Sequence, residues 1–255
     1  MSFWEHLDVL RGTIWKIALA SVVCGVVAFC FKDELFDVIL APKDSHFVTY
    51  RLFEKIGSLV PGSAGIENFR VELVNTGLAG QFAIHMKVAL YVGLVVASPY
   101  TLYLLLRFIT PALYENERRY TYRLVSSGYV MFVLGILLNY FLIFPFTFRF
   151  LGTYQVNTEV TNMITLESYM DTLLMLSLML GILFELPVVS WILGKMGILT
   201  KAFMRHYRRH AIVVILIIAA VITPTSDIFT LTLVSLPIWL LYEQSIFFVP
   251  EGIRK

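Results

Sequence analysis

Between Thr172 and Leu193 the chain carries a single charged residue, Glu185, with Pro187 two positions after it. A helix of about 20 residues crosses the roughly 30 Å hydrocarbon core of a bilayer, so this run reads as a membrane span with a carboxylate near its centre. Burying a carboxylate there is costly, which makes an intramembrane glutamate a functional-site hypothesis by default. Pro187 cannot donate an N–H and frees a carbonyl one turn back. Phe184-Glu185-Leu186-Pro187 is therefore a polar notch that must open toward protein and not toward lipid. Two readings stand: a working group facing the interior, or a protonated glutamate hydrogen-bonded to a neighbouring helix as structural glue.

The rest of the chain follows the same pattern. Of 255 residues, 58% are hydrophobic and 15% charged, and the charges fall mostly between long apolar stretches. That distribution belongs to a polytopic helical membrane protein, one all-α integral domain over residues 1–255. The net charge of +2 gives no reason to invoke nucleic acid. The spans are expected at 13–31, 81–109, 124–144, 169–193, 211–223 and 228–248, the third closed by Pro145 and the second kinked at Ser98-Pro99. An amphipathic lead-in, with Phe3, Leu7 and Leu10 on one face, precedes the first span. That span is too long for a signal-peptide core and follows acidic residues, so it reads as retained. Short amphipathic helices are expected around the breaks of the first loop. The fifth span, and the uninterrupted apolar part of the sixth up to Tyr242, are both short, which implies a locally thinned bilayer. Cys24 and Cys30 are about 9 Å apart on a helix, too far for a disulfide.

Lysine and arginine distribution sets the orientation. The N-terminus, the second-to-third loop, the fourth-to-fifth loop and the C-terminus carry Arg11, Arg118, Arg119, Arg123, Lys195, Lys201, Arg205, Arg208, Arg209, Arg254 and Lys255. The short loops on the other side carry Arg149, and the five basic residues of the long first loop are offset by seven acidic ones. Both termini are expected in the cytoplasm.

Common catalytic signatures are missing. The chain has no P-loop, no Gly-x-Ser-x-Gly and no His-Glu-x-x-His. His206 and His210 have the spacing of metal ligands, but Arg208 and Arg209 lie between them with no carboxylate near, so they read as interfacial residues and no metal or cofactor is expected. Ser98 and His85 lie about 20 Å apart along one helix, too far to act as nucleophile and base. Carboxylates do recur beside membrane entry points, namely Glu5, Asp8, Glu115 and Glu117. Such groups are ordinarily solvated surface, but they are also the groups that pair with guanidinium through two parallel hydrogen bonds.

These are also the residues on which the chain resembles the TatC family, the multi-spanning subunit of the twin-arginine protein translocase. The matching stretches are Glu5-His6-Leu7-x-x-Leu10-Arg11, Ala41-Pro42, Ser98-Pro99, Phe108-Ile109-x-Pro111-Ala112-Leu113-Tyr114 and Glu117-Arg118-Arg119. Phe184-Glu185-x-Pro187, Thr223-Pro224 with Asp227, and Pro237 with Tyr242-Glu243 complete them. The resemblance implies six helices in a curved, glove-like wall with a concave face, helices five and six short, in the cytoplasmic (inner) membrane. It further implies a core receptor that binds twin-arginine signal peptides and exports folded proteins, driven by the proton motive force. Single-span TatA/TatB-type partners, and self-association in a larger complex, are implied as well.

By position, Glu117, Phe108, Arg11 and Leu10 match the family's signal-peptide-binding residues, Glu185 its intramembrane carboxylate and Pro42 its first-loop proline; Pro187 and Asp227 match structural or partner-facing positions. Two departures stand out. Val9 occupies a position where the family often has glutamate, and Asp8 points about 100° away on a helix, leaving Glu5 or Asp8 to substitute or Glu117 to dominate. Thr225-Ser226 precede Asp227 where some relatives have one proline, and Leu231 stands near a common glutamine. From the residues alone, an ion-coupled small-molecule transporter with Glu185 as coupling site is the alternative.

Overall fold

The computed structural model describes residues 3–57, 71–109, 121–155, 157, 162–223 and 227–251. The first helix, α1 (Phe3–Phe29), takes in the amphipathic lead-in as well as the first span. Nothing in the lead-in breaks a helix except Gly12, whose cost of about 1 kcal/mol is too small to stop one. The first loop holds α2 (Lys32–Leu40), a 3₁₀ turn at Ala41–Lys43 and α3 (Val48–Gly57), the short helices expected there. A long helix, α4 (Gly80–Ile109), runs unbroken through Pro99. Proline removes the N–H that would have reached Val95 O, and the Ser98 hydroxyl donates to that same carbonyl at 2.7 Å.

The third span does not close at Pro145. It runs from α5 (Thr121–Leu138) through a π-turn at Asn139–Ile143 into α6 (Phe144–Thr153). The π-turn puts Pro145 in the first turn of α6, where a missing N–H is tolerated. The carbonyl of Phe141, one turn back, accepts instead from the Thr49 hydroxyl of α3. The fourth span is α7 (Leu166–Leu183) followed by α8 (Leu186–Lys195), with the break at Phe184–Glu185. Gly197, at φ 74°, ends α8 with two bonds: Ile198 N–H to Leu193 O at 3.0 Å and Gly197 N–H to Gly194 O at 3.1 Å. Then come α9 (Lys201–His206), α10 (Arg208–Ile222) and α11 (Ile228–Phe248).

Five stretches of the described residues are long and apolar enough to cross a membrane: Leu7–Phe29, Gly80–Phe108, Arg123–Thr153, Leu166–Lys195 and Ile228–Phe248. The expected fifth span falls on α10, whose 15 residues reach only about 22 Å, so it is not one of these five. The expectation that helix six is also short needs correcting: α11 has 21 residues, about 31 Å. It continues through Glu243 because that carboxylate meets Arg208 Nη2 of α10 at 2.5 Å. The chain is all-α as expected, and the one extended pairing among the described residues is β1 (Leu73–Val74) with β2 (Ile164–Thr165), parallel, two residues each, joining two loops at one end.

Apolar contact between helices gains little in lipid, so association rests on close packing and small residues. Phe29 stacks on His85 with centroids 4.0 Å apart, and a Cβ on Gly25 would lie 3.3 Å from Ala89 O, so α1 runs antiparallel along α4. A Cβ on Gly135 would lie 2.6 Å from Leu180 O, which brings α5 against α7 backbone to backbone. α4 also packs on α5 and α7, α8 on α11, and α11 on α10. α1 packs chiefly on α4, and α10 chiefly on α11.

Candidate functional site: an apolar cavity with one carboxylate

Inner faces of α1, α4, α5, α7 and α8 line a cavity of about 500 Å³. Ile17, Leu94, Leu102, Leu105, Phe132, Ile182 and Val189 make its wall aliphatic and aromatic, and Ser98, Thr101 and Glu185 are its polar residues. Ser98 already donates to Val95 O, so it offers little to a ligand. Thr101 Oγ1 and Glu185 Oε1 are buried without a hydrogen-bond partner among the described residues. Each therefore carries a desolvation cost that nothing in the wall offsets.

Glu185 is placed by the break in the fourth span. Glu185 N–H reaches back only three residues, to Ile182 O at 3.1 Å, and the helix restarts with Val189 N–H to Glu185 O at 2.9 Å. Pro187 is buried in the first turn of α8, where its missing N–H does no harm, while the Leu183 carbonyl loses its partner of one turn on. Across the cavity wall, a Cβ on Gly128 of α5 would fall 2.9 Å from Glu185 Oε2. The bare backbone of Gly128 is thus what leaves room for the carboxylate. Sequence reasoning did not find Gly128. A glycine inside an apolar run is the only signal it gives, and nothing local says which helix it faces.

The antiparallel pairing of α1 and α4 carries Glu5, Asp8, Leu10 and Arg11 to the end of the wall where α4 finishes with Phe108. Glu5, Asp8, Val9 and Arg11 are exposed there, while Leu10 and Phe108 are partly buried. Glu117 lies outside the described residues. Pro42 and Asp227 sit at the opposite end. Pro42 is buried in the 3₁₀ turn, its carbonyl 3.3 Å from Tyr50 Oη, which donates to Pro145 O at 2.8 Å. Asp227 caps α11, accepting from Thr230 N–H at 2.7 Å. The predicted residues therefore fall into three places: one end, the cavity, and the far end.

Fold and site together define a polytopic helical membrane protein with a mostly apolar cavity in its wall. No group of three or more His, Cys, Asp or Glu that could hold a metal occurs among the described residues. The sequence matches the family model of TatC, the Sec-independent protein translocase protein, over residues 5–237. It is 33% identical to the Sec-independent protein translocase protein TatC of Blattabacterium sp. subsp. Periplaneta americana, covering 97% of this chain and 94% of that one. The TatC protein of Aquifex aeolicus is 32% identical over 100% of this chain and 97% of its own length. Two crystal structures of the twin-arginine translocase receptor TatC superpose with TM-scores of 0.75 and 0.78, at 32% and 30% identity. They cover 95% and 96% of this chain, and 97% and 99% of their own. The chain belongs to the TatC family: it is a membrane-embedded component of a Sec-independent protein translocase, a transport protein and not an enzyme.

Proposed function

We propose that this chain is the signal-peptide receptor of its translocase, with two sites in series. The arginine pair of a twin-arginine signal peptide docks first on Glu117 together with Glu5 or Asp8, with Phe108, Leu10 and Arg11 contributing to the site. The apolar part of the signal then lies in the cavity beside Glu185. Support comes from the shared end of Glu5, Asp8 and Phe108, and from a cavity whose wall is apolar enough to take a hydrophobic segment but too poor in polar groups to bind a hydrated solute. Both termini lie in the cytoplasm and the wall in the inner membrane, as the lysine and arginine distribution supports. Single-span TatA/TatB-type partners pack near α10 and α11, other copies of the chain join the complex, and the proton motive force drives transport.

The docking step is tested by binding of a labelled twin-arginine peptide to the purified, detergent-solubilised chain. A twin-lysine peptide and a Glu117→Ala variant should bind at least tenfold more weakly, since lysine cannot form the paired bonds. Equal binding of both peptides would contradict the receptor role. Liposomes holding this chain alone should take up no small solute; uptake would favour ion-coupled transport through Glu185. Lengthening α10 by one turn of leucine should impair transport of folded cargo, and full activity would show its shortness to be incidental.

A further inference from the structure

From Glu185 to Asp227 the chain has no acidic residue, yet it carries Lys195, Lys201, Arg205, Arg208 and Arg209. Two of these cations are paired with α11 and its extension, Lys201 Nζ with Glu251 Oε1 at 3.4 Å and Arg208 Nη2 with Glu243 Oε2 at 2.5 Å. Arg205 and Arg209 are exposed and make no ion pair among the described residues.

Around them lies an exposed aromatic cluster. Tyr207 has the Phe203 ring at 4.6 Å, the His206 ring at 5.0 Å and the His210 ring at 5.5 Å. Phe203 is 51% exposed, Tyr207 41% and Ile198, just before α9, 64%. Met204 alone turns inward, against Ile246 and Val249, and holds α9 to the end of α11. An acidic soluble partner would satisfy the arginines but leave Ile198, Phe203 and Tyr207 in water. A membrane interface satisfies both, because aromatic rings settle at headgroup level and guanidinium groups bind phosphate bidentately. The place also has a mechanical reason to hold lipid. α10 starts here, and its roughly 22 Å must be met by a leaflet drawn inward.

We propose that the α9–α10 junction is a binding surface for anionic phospholipid headgroups, with Arg205 and Arg209 taking the phosphates and the Phe203–Tyr207 cluster seated among the glycerol and upper acyl groups. The surface holds the leaflet down at the end of α10. The inference rests on the chain's place in a membrane and is independent of how signal peptides bind.

The test uses the full chain in nanodiscs of phosphatidylcholine containing a minority of phosphatidylglycerol, followed by counting of retained lipids by native mass spectrometry. Arg205→Gln/Arg209→Gln should retain phosphatidylglycerol roughly thirtyfold less well, at about 1 kcal/mol per surface cation. Lys32→Gln/Arg51→Gln, equal in charge but at the other end, should retain it as the parent does. Both variants alter exposed side chains, and matching gel-filtration profiles confirm that each is folded. Equal retention by the Arg205/Arg209 variant and its parent would overturn the proposal. So would displacement of the lipid by inorganic phosphate alone, or by a soluble acidic peptide, since either would place the affinity in the charge and not in a lipid surface.

Discussion

The far end of the molecule and the cavity differ in what meets the carbonyl that a proline leaves free. At the far end several backbone carbonyls are met by hydroxyls from distant elements, although Thr147 Oγ1 and Thr230 Oγ1 are buried there without a partner among the described residues. Thr49 caps the Phe141 carbonyl exposed by Pro145, Tyr50 donates to Pro145 O at 2.8 Å, and Tyr169 donates to Ile39 O at 2.9 Å, with Tyr140 donating to Val38 O at 2.6 Å. These bonds stitch α2 and α3 onto the π-turn, α6 and α7. In the cavity neither hydroxyl serves the Leu183 carbonyl freed by Pro187: Ser98 donates to Val95 O, and Thr101 Oγ1, like Glu185 Oε1, has no partner among the described residues. One region ties its proline break to a neighbouring helix through Thr49. The other keeps hydrogen-bonding capacity in reserve, which costs stability and fits the proposed role of receiving a signal peptide.

Changes to close packing and to these far-end bonds should therefore harm folding, and changes to the cavity should harm function first. Gly93→Val should have the largest effect. Its side chain would enter the backbone of Gly25 and Ser21 in α1, where nothing flexible can give way. Overpacking of this kind costs about 1–3 kcal/mol or more, and the readout is loss of monodisperse protein on extraction. Full recovery would mean that α1 and α4 pack less closely than described.

Tyr50→Phe comes next. It leaves the buried Pro145 carbonyl without its donor, at a cost of about 1–3 kcal/mol, read as a lower thermal midpoint. Burial raises the Tyr50 hydroxyl above its ordinary pKa of 10, partly offset by the Arg149 guanidinium. The folded state then holds this proton more tightly than the unfolded one. The Tyr50 contribution is complete below pH 10 and declines as pH rises beyond it. The difference in midpoint between parent and variant should shrink only above that value, and a difference that changes between pH 6 and 9 would rule the assignment out.

Gly128→Ala should be the mildest for stability, within about 1 kcal/mol, because a better helix former offsets the crowding and the group it crowds is the mobile end of Glu185. Transport of folded cargo should nevertheless fall, because the carboxylate is pushed from its place. An unaltered transport rate would remove Gly128 from the site.

Much of this was legible in the sequence because apolar runs and their punctuation are local signals. The spans at 81–109 and 169–193, the break at Phe184-Glu185-Leu186-Pro187 and the short fifth span were all visible in that way. What escaped the sequence depends on distant partners. Pro145 reads as a stop unless one knows that Thr49 waits beside Phe141, and Glu243 reads as the end of the sixth helix unless Arg208 is known to face it. Gly128 is silent until α5 is docked on α8. For the candidate site, Glu185 stood out because a charge in lipid is costly wherever it occurs. The grouping of Glu5, Asp8 and Phe108 at one end needed the antiparallel α1–α4 pair, which hangs on Gly25 and His85.

The most direct test of two sites in series is site-specific photo-crosslinking of a bound twin-arginine signal peptide from Leu10 at the surface and from Leu102 in the cavity, in parent and Glu185→Ala chains. The account predicts that Glu185→Ala leaves the Leu10 product unchanged and removes most of the Leu102 product. If both products fall together, or neither does, docking and insertion are not separate events and the cavity carboxylate has no role of its own in receiving the peptide.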